Sequence, residues 1–416
     1  MRLEDLCTFY RGLTYAKKDE VDFSKNAVLR ANNVSLDTGE LDFSEIRYIN
    51  DQIDIPAHKK VQKGSLLMCM ASGSKKHLGK AALVDEDYQY AFGGFMGLLV
   101  PNAAVDSKYF YWITRSKSYS DFIMGLSDGA NINNLKFSQL SQYQLPVPPL
   151  SEQKRIVAIL DEVFAGIATV TANTEKNLAN ARELFESYLN AVFTQRGDNW
   201  AETNLGDLCE KITKGSSPKW QGIKYQEKPG VLFVTSENVG QNELLFQKKK
   251  YVEEAFNKKD AKSVLKKGDV LTNIVGASIG RTAVFDMPVL ANINQAVCLL
   301  RCKPEKLNSH FLAYLLNSPF FRRVLHENEI NNARANLSLG FFRQLSIPYP
   351  AIANQKEIVS KINSLSAECK ILESICLQKL TALAELKQSL LQKAFSGELT
   401  ADKDISEAIR TADEIP

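Results

Sequence analysis

Residues 134–197 can be laid on residues 336–399 at a constant offset of 202 with no gap, so the chain carries one plan twice. Under that offset Asn134, Leu135, Leu145, Pro146, Pro148, Gln153, Lys154, Ile156, Val157 and Phe193 meet Asn336, Leu337, Ile347, Pro348, Pro350, Gln355, Lys356, Ile358, Val359 and Phe395. The segment starts agree as well, since Leu3, Asp5, Leu6 and Cys7 fall on Leu205, Asp207, Leu208 and Cys209. Solenoid units run about 20–50 residues and repeat many times. Two copies at this much longer period describe two related halves in tandem.

Each half divides again by composition. Residues 1–145 and 198–347 contain short apolar runs bounded by Gly, Pro, Asn and Asp, which read as globular α/β domains. Candidate strands are 27–34, 64–71, 80–84 and 95–100, mirrored by 231–239, 268–275, 281–285 and 295–301. A helix rich in aromatics is expected at 108–124 and answers to another at 310–325. Tyr109, Phe110 and Trp112, echoed by Phe311, Leu312 and Tyr314, suit the core face of such a helix better than base stacking.

After each domain comes a proline hinge, Pro146, Pro148 and Pro149 in one copy and Pro348 and Pro350 in the other, followed by a proline-free stretch. Proline favours an extended entry. Ser151 ahead of Glu152, and Asn354 with Glu357 three residues on, fit helix-capping patterns. Both stretches, within 146–197 and 348–397, are therefore expected to be long helices. Their seam positions alternate by four and three: Ile156, Leu160, Val163, Ile167, Val170, Thr174, Asn177, Ala181, Leu184 and Tyr188, then Ile358, Ile362, Leu365, Cys369, Leu372, Cys376, Lys379, Leu383, Leu386 and Leu390. Eight and nine of the ten places are apolar, which makes this a coiled-coil heptad. A single amphipathic stripe is more simply packed on its own domain, but two matched stripes favour each other. An antiparallel pair, each helix on the order of 65 Å long at about 1.5 Å per residue, would separate the two domains about a pseudo-twofold axis. The expected fold class is α+β.

Composition excludes more than it selects. The 416 residues allow two or more domains. No secretory leader or membrane-length apolar run is expected, which points to the cytosol. Seven cysteines lack zinc-site spacing; Cys298 and Cys302 make too sparse a pair, and Cys7, Cys209, Cys369 and Cys376 sit among apolar neighbours as expected buried thiols. The segment 73–80 imitates a phosphate-binding loop, yet five residues separate Gly73 from Gly79-Lys80 where four are needed, and Ala81 replaces the magnesium-binding hydroxyl. No Asn/Asp-Pro-Pro-Tyr/Phe segment of an adenine methyltransferase is present, and His58, His77, His310 and His326 match no nucleophile or metal pattern. Catalytic and metal-ligating residues are therefore expected to be absent.

Net charge is +3, and the tail 398–416 carries −4, leaving +7 for the remainder. A net charge this small is unimpressive for a nucleic-acid binder taken alone, and it is the distribution, with acid gathered in the tail, that leaves a modest positive field on the rest. Basic and amide-rich loops hold the donors and acceptors that distinguish base edges. In the first domain these are Ser74, Lys75, Lys76, His77 and Lys80, with Asn131 and Asn133 ahead of the hinge. In the second they are Lys214, Ser216, Lys219, Trp220, Ser278 and Arg281, with Asn331, Asn332 and Arg334. Lys248-Lys249-Lys250 reads as an exposed strand instead.

The run Pro148-Pro149-Leu150-Ser151-Glu152-Gln153 followed by Lys154-Arg155-Ile156-Val157, its weaker echo Pro350-Ala351-Ile352-Ala353-Asn354-Gln355, and Lys393-Ala394-Phe395-Ser396-Gly397-Glu398-Leu399 resemble the specificity subunits of type I restriction-modification systems. The resemblance covers essentially the whole chain. It implies two target-recognition domains, each followed by a conserved helix, reading double-stranded DNA at a bipartite, asymmetric site whose spacer the helices fix. It implies a non-catalytic chain that binds no cofactor and docks two modification (methyltransferase) subunits, which carry S-adenosylmethionine and methylate adenine N6. A restriction (translocase-nuclease) subunit using ATP and Mg would complete the complex. Glu152, Gln153 and Gln355, near the hinges, are then expected at the docking faces. The rivals are a coiled-coil structural adaptor that binds proteins and no DNA, and an enzyme hidden in the α/β domains.

Overall fold

The computed structural model describes residues 1–127, 134–197, 199–227, 230–331 and 335–401. The chain forms two compact units, Met1–Glu175 with the chain from Leu377 onward, and Lys176–Cys376. Composition changes at the hinges, whereas packing divides the chain in the middle of each long helix, because the two halves of a helix pack in different units.

Unit 1 contains strands β1 (Cys7–Arg11), β2 (Glu20–Val21), β3 (Asn26–Leu29), β4 (Arg47–Ile49), β5 (Leu66–Cys69), β6 (Ala81–Leu83), β7 (Ala91–Phe92) and β8 (Met96–Pro101). Helices α1 (Ser107–Thr114), α2 (Lys117–Ser127) and the one-turn α3 (Phe137–Leu140) follow, and α4 (Leu150–Thr194) begins here. The strands make two four-stranded sheets, ordered β1-β8-β5-β6 and β2-β4-β3-β7. The first is antiparallel throughout, and β3 runs parallel to β7.

Successive side chains of a strand point to opposite faces, and β5 uses both. Leu66 and Met68 join the core that includes the helices, while Leu67 and Cys69 join the core shared with Leu29 and Phe92 of the second sheet. All four β5 residues are fully buried, so the central strand reads as a continuous apolar run rather than an alternation.

Unit 2 repeats the plan. It holds β9 (Ala201–Asn204), α5 (Leu205–Leu208), β10 (Cys209–Lys214), β11 (Tyr225–Gln226), β12 (Val231–Val234), β13 (Tyr251–Val252), α6 (Ala255–Lys259), β14 (Asp269–Asn273), β15 (Thr282–Phe285), β16 (Ala291–Ile293) and β17 (Val297–Cys302). Then come α7 (Ser309–Asn317), α8 (Pro319–Glu327), β18 (Ile330–Asn331), β19 (Ala335–Asn336), α9 (Leu339–Gln344), β20 (Ser346–Tyr349) and α10 (Ile352–Ser396). Its main sheets are ordered β10-β17-β14-β15 and β11-β13-β12-β16, with β12 parallel to β16. The four-stranded sheets of the two units match strand for strand, and unit 2 adds the short pairs β18-β19 and β20-β9.

The single helix expected at 108–124 is two helices, and so is its counterpart. Ser116 Oγ accepts from the Tyr119 N–H, and Ser318 Oγ from the Phe321 N–H, so each serine caps a fresh helix. Pro319 then occupies the first turn of α8, where its missing N–H is no loss. The long helices start earlier than expected: α4 at Leu150 and α10 at Ile352, so Ser151 and Asn354 lie inside the first turn rather than capping it. Backbone bonds from Glu152 and Gln153 to the Pro149 carbonyl open α4 directly from the prolines.

Each unit contains an antiparallel pair of helix halves. In unit 1, Ile156, Val157, Leu160, Val163 and Ile167 share a core with Leu383, Leu390, Leu391 and Ala394. Tyr109, whose hydroxyl donates to the Pro146 carbonyl at the start of α4, packs its ring edge-on against Phe395 at the end of α10. In unit 2, Phe311 packs on Phe193 at the end of α4, while the Asn308 N–H reaches Gln355 at the start of α10. Eleven residues before Phe193, Arg182 pairs with Glu373 at 3.0 Å, farther along α10. The directions are opposed.

The expected seam needs three corrections, since Asn177, Leu184 and Leu372 are exposed. Ile156, Leu160, Val163, Ile167, Ile362, Leu383 and Leu390 are buried, and Ile358, Leu365 and Leu386 half-buried, but Leu184 is 52% exposed and Leu372 48%. The departures are local: Ala181 before Leu184, and Cys369 and Leu383 on either side of Leu372, are buried seam positions, and next to the exposed Leu184 it is Phe185 and Leu189 that turn inward.

One compositional expectation is also corrected. An 18-residue stretch of α4 reaches a mean hydropathy of 1.5, enough by length and composition to cross a membrane. Its apolar residues are spent elsewhere: Ile156, Leu160, Val163 and Ile167 lie in the unit 1 core, and Asp161 accepts from Trp112 Nε1 at 3.0 Å and Lys108 Nζ at 2.6 Å.

Candidate nucleic-acid interface

The loop after β5 and the loop after β14 are one structural feature in two versions. A single 3-10 turn, Lys75–His77 in unit 1 and Gly276–Ser278 in unit 2, ends at Gly79 or Gly280, both with φ in the left-handed region at +73° and +84°. Glycine is required at this place for sterics as well, since a Cβ on Gly79 would sit 2.9 Å from Ile123 Cγ1. The loop begins beside Asn134 in unit 1 and Asn336 in unit 2, each held by an isolated bridge, to Ala71 and Val275. Between these fixed ends the unit 1 loop is three residues longer and far more basic.

Within it Lys75 and Lys76 are exposed and Ser74 begins the turn, so these three face solvent. His77 is half-buried with its Nδ1 lacking a partner. Lys80 departs from the sequence reading: its ammonium donates to the Val34 carbonyl at 2.6 Å, and burial holds its pKa below the usual lysine range. It ties the loop to the domain and is withdrawn as a nucleic-acid contact. Its counterpart Arg281 is exposed, beside a half-buried Ser278.

In unit 2, Lys214 and Lys219 are exposed and Trp220 is 82% exposed. Ser216 is spent on structure and is also withdrawn: its hydroxyl donates to the buried Asp260 at 2.6 Å and accepts from Gln221. Asn331 sits in β18, and Asn131, Asn133, Asn332 and Arg334 lie outside the described residues.

The partner-docking expectation changes more. Gln153 and Gln355 are fully buried. Gln153 Nε2 donates to the carbonyls of Ala104 and Pro148, and its Oε1 accepts from the Asp106 N–H. Gln355 repeats this with Lys306, Pro350 and Asn308. Each amide clamps a hinge to the turn before α1 or α7, so neither side chain can meet a partner. Glu152 stays at the surface, half-buried beside Arg155.

A feature missed in the sequence is a cleft of about 670 Å³ in unit 1, lined among others by Tyr15, Lys17, Glu20, Arg30, Arg47 and Phe95. Phe95 is 74% exposed at its lip, where strand-like composition concealed a turn. Chain crossing forms the floor: Gly12 passes so close to Gly93 that a Cβ would lie 1.9 Å from the Gly93 carbonyl oxygen. Burial, then the neighbouring Glu20, raise the Tyr15 pKa, while Arg30 and Arg47 oppose them, so these groups share one electrostatic environment. Among the described residues no cluster of His, Cys, Asp or Glu could hold a metal ion, and the seven cysteines are free thiols.

The chain matches the family model described as type I restriction modification DNA specificity domain twice, over residues 1–180 and 197–382. It belongs to that family. Among curated relatives it is 28% identical over 412 residues to the type I restriction enzyme StySPI specificity subunit of Salmonella potsdam, covering 95% of this chain and 87% of that one. It is 26% identical over 418 residues to the EcoKI specificity subunit of Escherichia coli (strain K12), with the same coverage. The fold is shared with a chain from a structure described as the basis of complex assembly and conformational transition of the type I R-M system, at TM-score 0.77, 18% identity and coverage of 96% and 97%. The HsdS subunit from Thermoanaerobacter tengcongensis follows at TM-score 0.62, 19% identity and 96% of each chain. The double family match falls on the same duplication that the strand order shows.

Proposed function

We propose that this chain is the non-catalytic DNA-recognition subunit of a type I restriction-modification complex, each unit reading one half of a bipartite, asymmetric site. The observation that carries this reading is one scaffold with two surfaces. Framework positions repeat in role: Gln153 and Gln355 clamp the hinges, and Trp112 bonds Asp161 as Tyr314 bonds Asn363. Cleft positions do not. The backbone N–H that bonds Asn33 or Asn238 belongs to Arg30 in unit 1 and Thr235 in unit 2, and the carbonyl that accepts from Met70 or Ile274 belongs to Phe95 and Ala296. Conserved architecture with exchanged surface chemistry suits two recognition modules for different half-sites, and a protein adaptor would give no reason for it.

In this reading the length of α4 and α10 fixes the unread spacer. Two modification subunits dock on the helical region, where Ile371, Leu372 and Ile375 expose 60%, 48% and 40% of their surface on α10. Those subunits carry S-adenosylmethionine and methylate adenine N6, a restriction subunit would add ATP- and Mg-dependent activity, and the complex works in the cytosol. Replacing residues 1–145 with the matching domain of a relative should alter one half-site and leave the other. Altered preference in both halves would contradict independent readout.

A further inference from the structure

We propose that the cleft of unit 1 is its base-reading site, with Arg30 the specificity-determining side chain and Phe95 the apolar contact at the lip; this rests on the DNA-recognition reading above. Arg30 is placed by its backbone, whose N–H donates to Asn33 Oδ1 at 2.8 Å, and Asn33 is itself buried and bonded to the Asp42 and Glu45 carbonyls. Its guanidinium has no such commitment. Arg30 Nε is buried without a hydrogen-bond partner, and among the described residues neither Arg30 nor Arg47 forms an ion pair. A guanidinium with unspent donors, carried on an anchored backbone and lining a concave site, suits a planar acceptor pair, and O6 and N7 of guanine in the major groove are such a pair.

The acid in the same cleft sharpens the choice. Glu20 lines it alongside Lys17, Arg30 and Arg47. A carboxylate repels phosphate but accepts from the amino group of cytosine, so the lining around Glu20 favours a base edge over backbone. Exposed Lys17 and Arg47 are left for flanking phosphates.

Phe95 is exposed by construction. Its turn is held by hydrogen bonds from the Gly93 N–H to the Leu29 carbonyl, the Met70 N–H to the Phe95 carbonyl and the Met96 N–H to the Gly93 carbonyl, at 2.8, 2.9 and 2.8 Å. A ring kept in water by a rigid turn loses little entropy on contact, and a thymine methyl is the apolar feature of the major groove it would meet. Unit 2 carries Thr235 and Ala296 at these positions and cannot make the same contacts.

The test is selection from randomised DNA duplexes at fixed salt, using the full chain assembled with its modification subunits, followed by sequencing. The unaltered complex should return a two-part motif. Arg30→Gln should lower discrimination at one G·C position by about ten-fold or more, with the other half-site unchanged, and Phe95→Ala should relax an adjacent position. Arg30→Lys, which keeps charge and stem but loses the fork, should give the same relaxation and covers the case in which the glutamine variant fails to fold. A folded, assembled variant with an unchanged motif overturns the proposal. So does an even loss across all sequences, which makes Arg30 a phosphate contact, or lost assembly, which makes the cleft a protein-binding surface. If the unaltered complex selects nothing, the DNA-recognition reading itself fails.

Discussion

Two lysines four residues apart do opposite work here. Lys76 is exposed on a long basic loop, whereas Lys80 is folded onto the Val34 carbonyl. Lys76→Ala should weaken DNA binding evenly across sequences and flatten the salt slope by about one. Lys80→Ala should lower the melting temperature and leave that slope unchanged, and salt titrations of both variants distinguish the roles. Gln153→Leu or Gln355→Leu strands one N–H donor and two carbonyls, a cost of about 1–3 kcal/mol at each hinge, measurable by denaturant unfolding. Charge and amide content announce that a loop is polar. They do not reveal whether a backbone carbonyl lies within reach, which is why Lys80, Ser216 and the two glutamines were misassigned, and why the cleft around Arg30, assembled from distant segments, was not visible.

At the scale of elements, periodicity carried the most information where one neighbour dominates. Helices α4 and α10 were legible because their apolar stripes run for many turns, and the central strands because they are apolar on both faces. The edge strand β1 and its counterpart β10 were missed: each is only partly buried, and a half-covered strand with polar neighbours gives little signal. The break between α1 and α2 was hidden for a different reason, since one serine hydroxyl makes it. The seam failed only locally, at positions such as Leu184 and Leu372, with buried seam residues elsewhere along both helices. Accordingly Leu160→Ala should cost about 2–5 kcal/mol, whereas Leu372→Asp, on an exposed face, should change stability by less than about 0.5 kcal/mol. The second variant should instead reduce co-purification of the modification subunit. Equal destabilisation by both would return Leu372 to the seam.

For the whole molecule, duplication was the most legible property and also the most consequential. It predicted two units with one topology, and the repeated hinge clamps, serine caps and terminal phenylalanines show that the repeat extends to individual side-chain roles. What the duplication does not encode is the target, because the positions that differ between units, Arg30 against Thr235 and Phe95 against Ala296, are the ones assigned to reading. The functional account has two separable parts: independent reading by each unit, and a distance between half-sites set by helix length. The second is tested most directly by inserting one heptad in each helix at matched depth and mapping methylated sites of the assembled complex. Seven residues add about 10.5 Å of helix, or about three base pairs at 3.4 Å each. Both half-sites should persist with a spacer longer by about three base pairs; an unchanged spacer in an active complex would contradict the account.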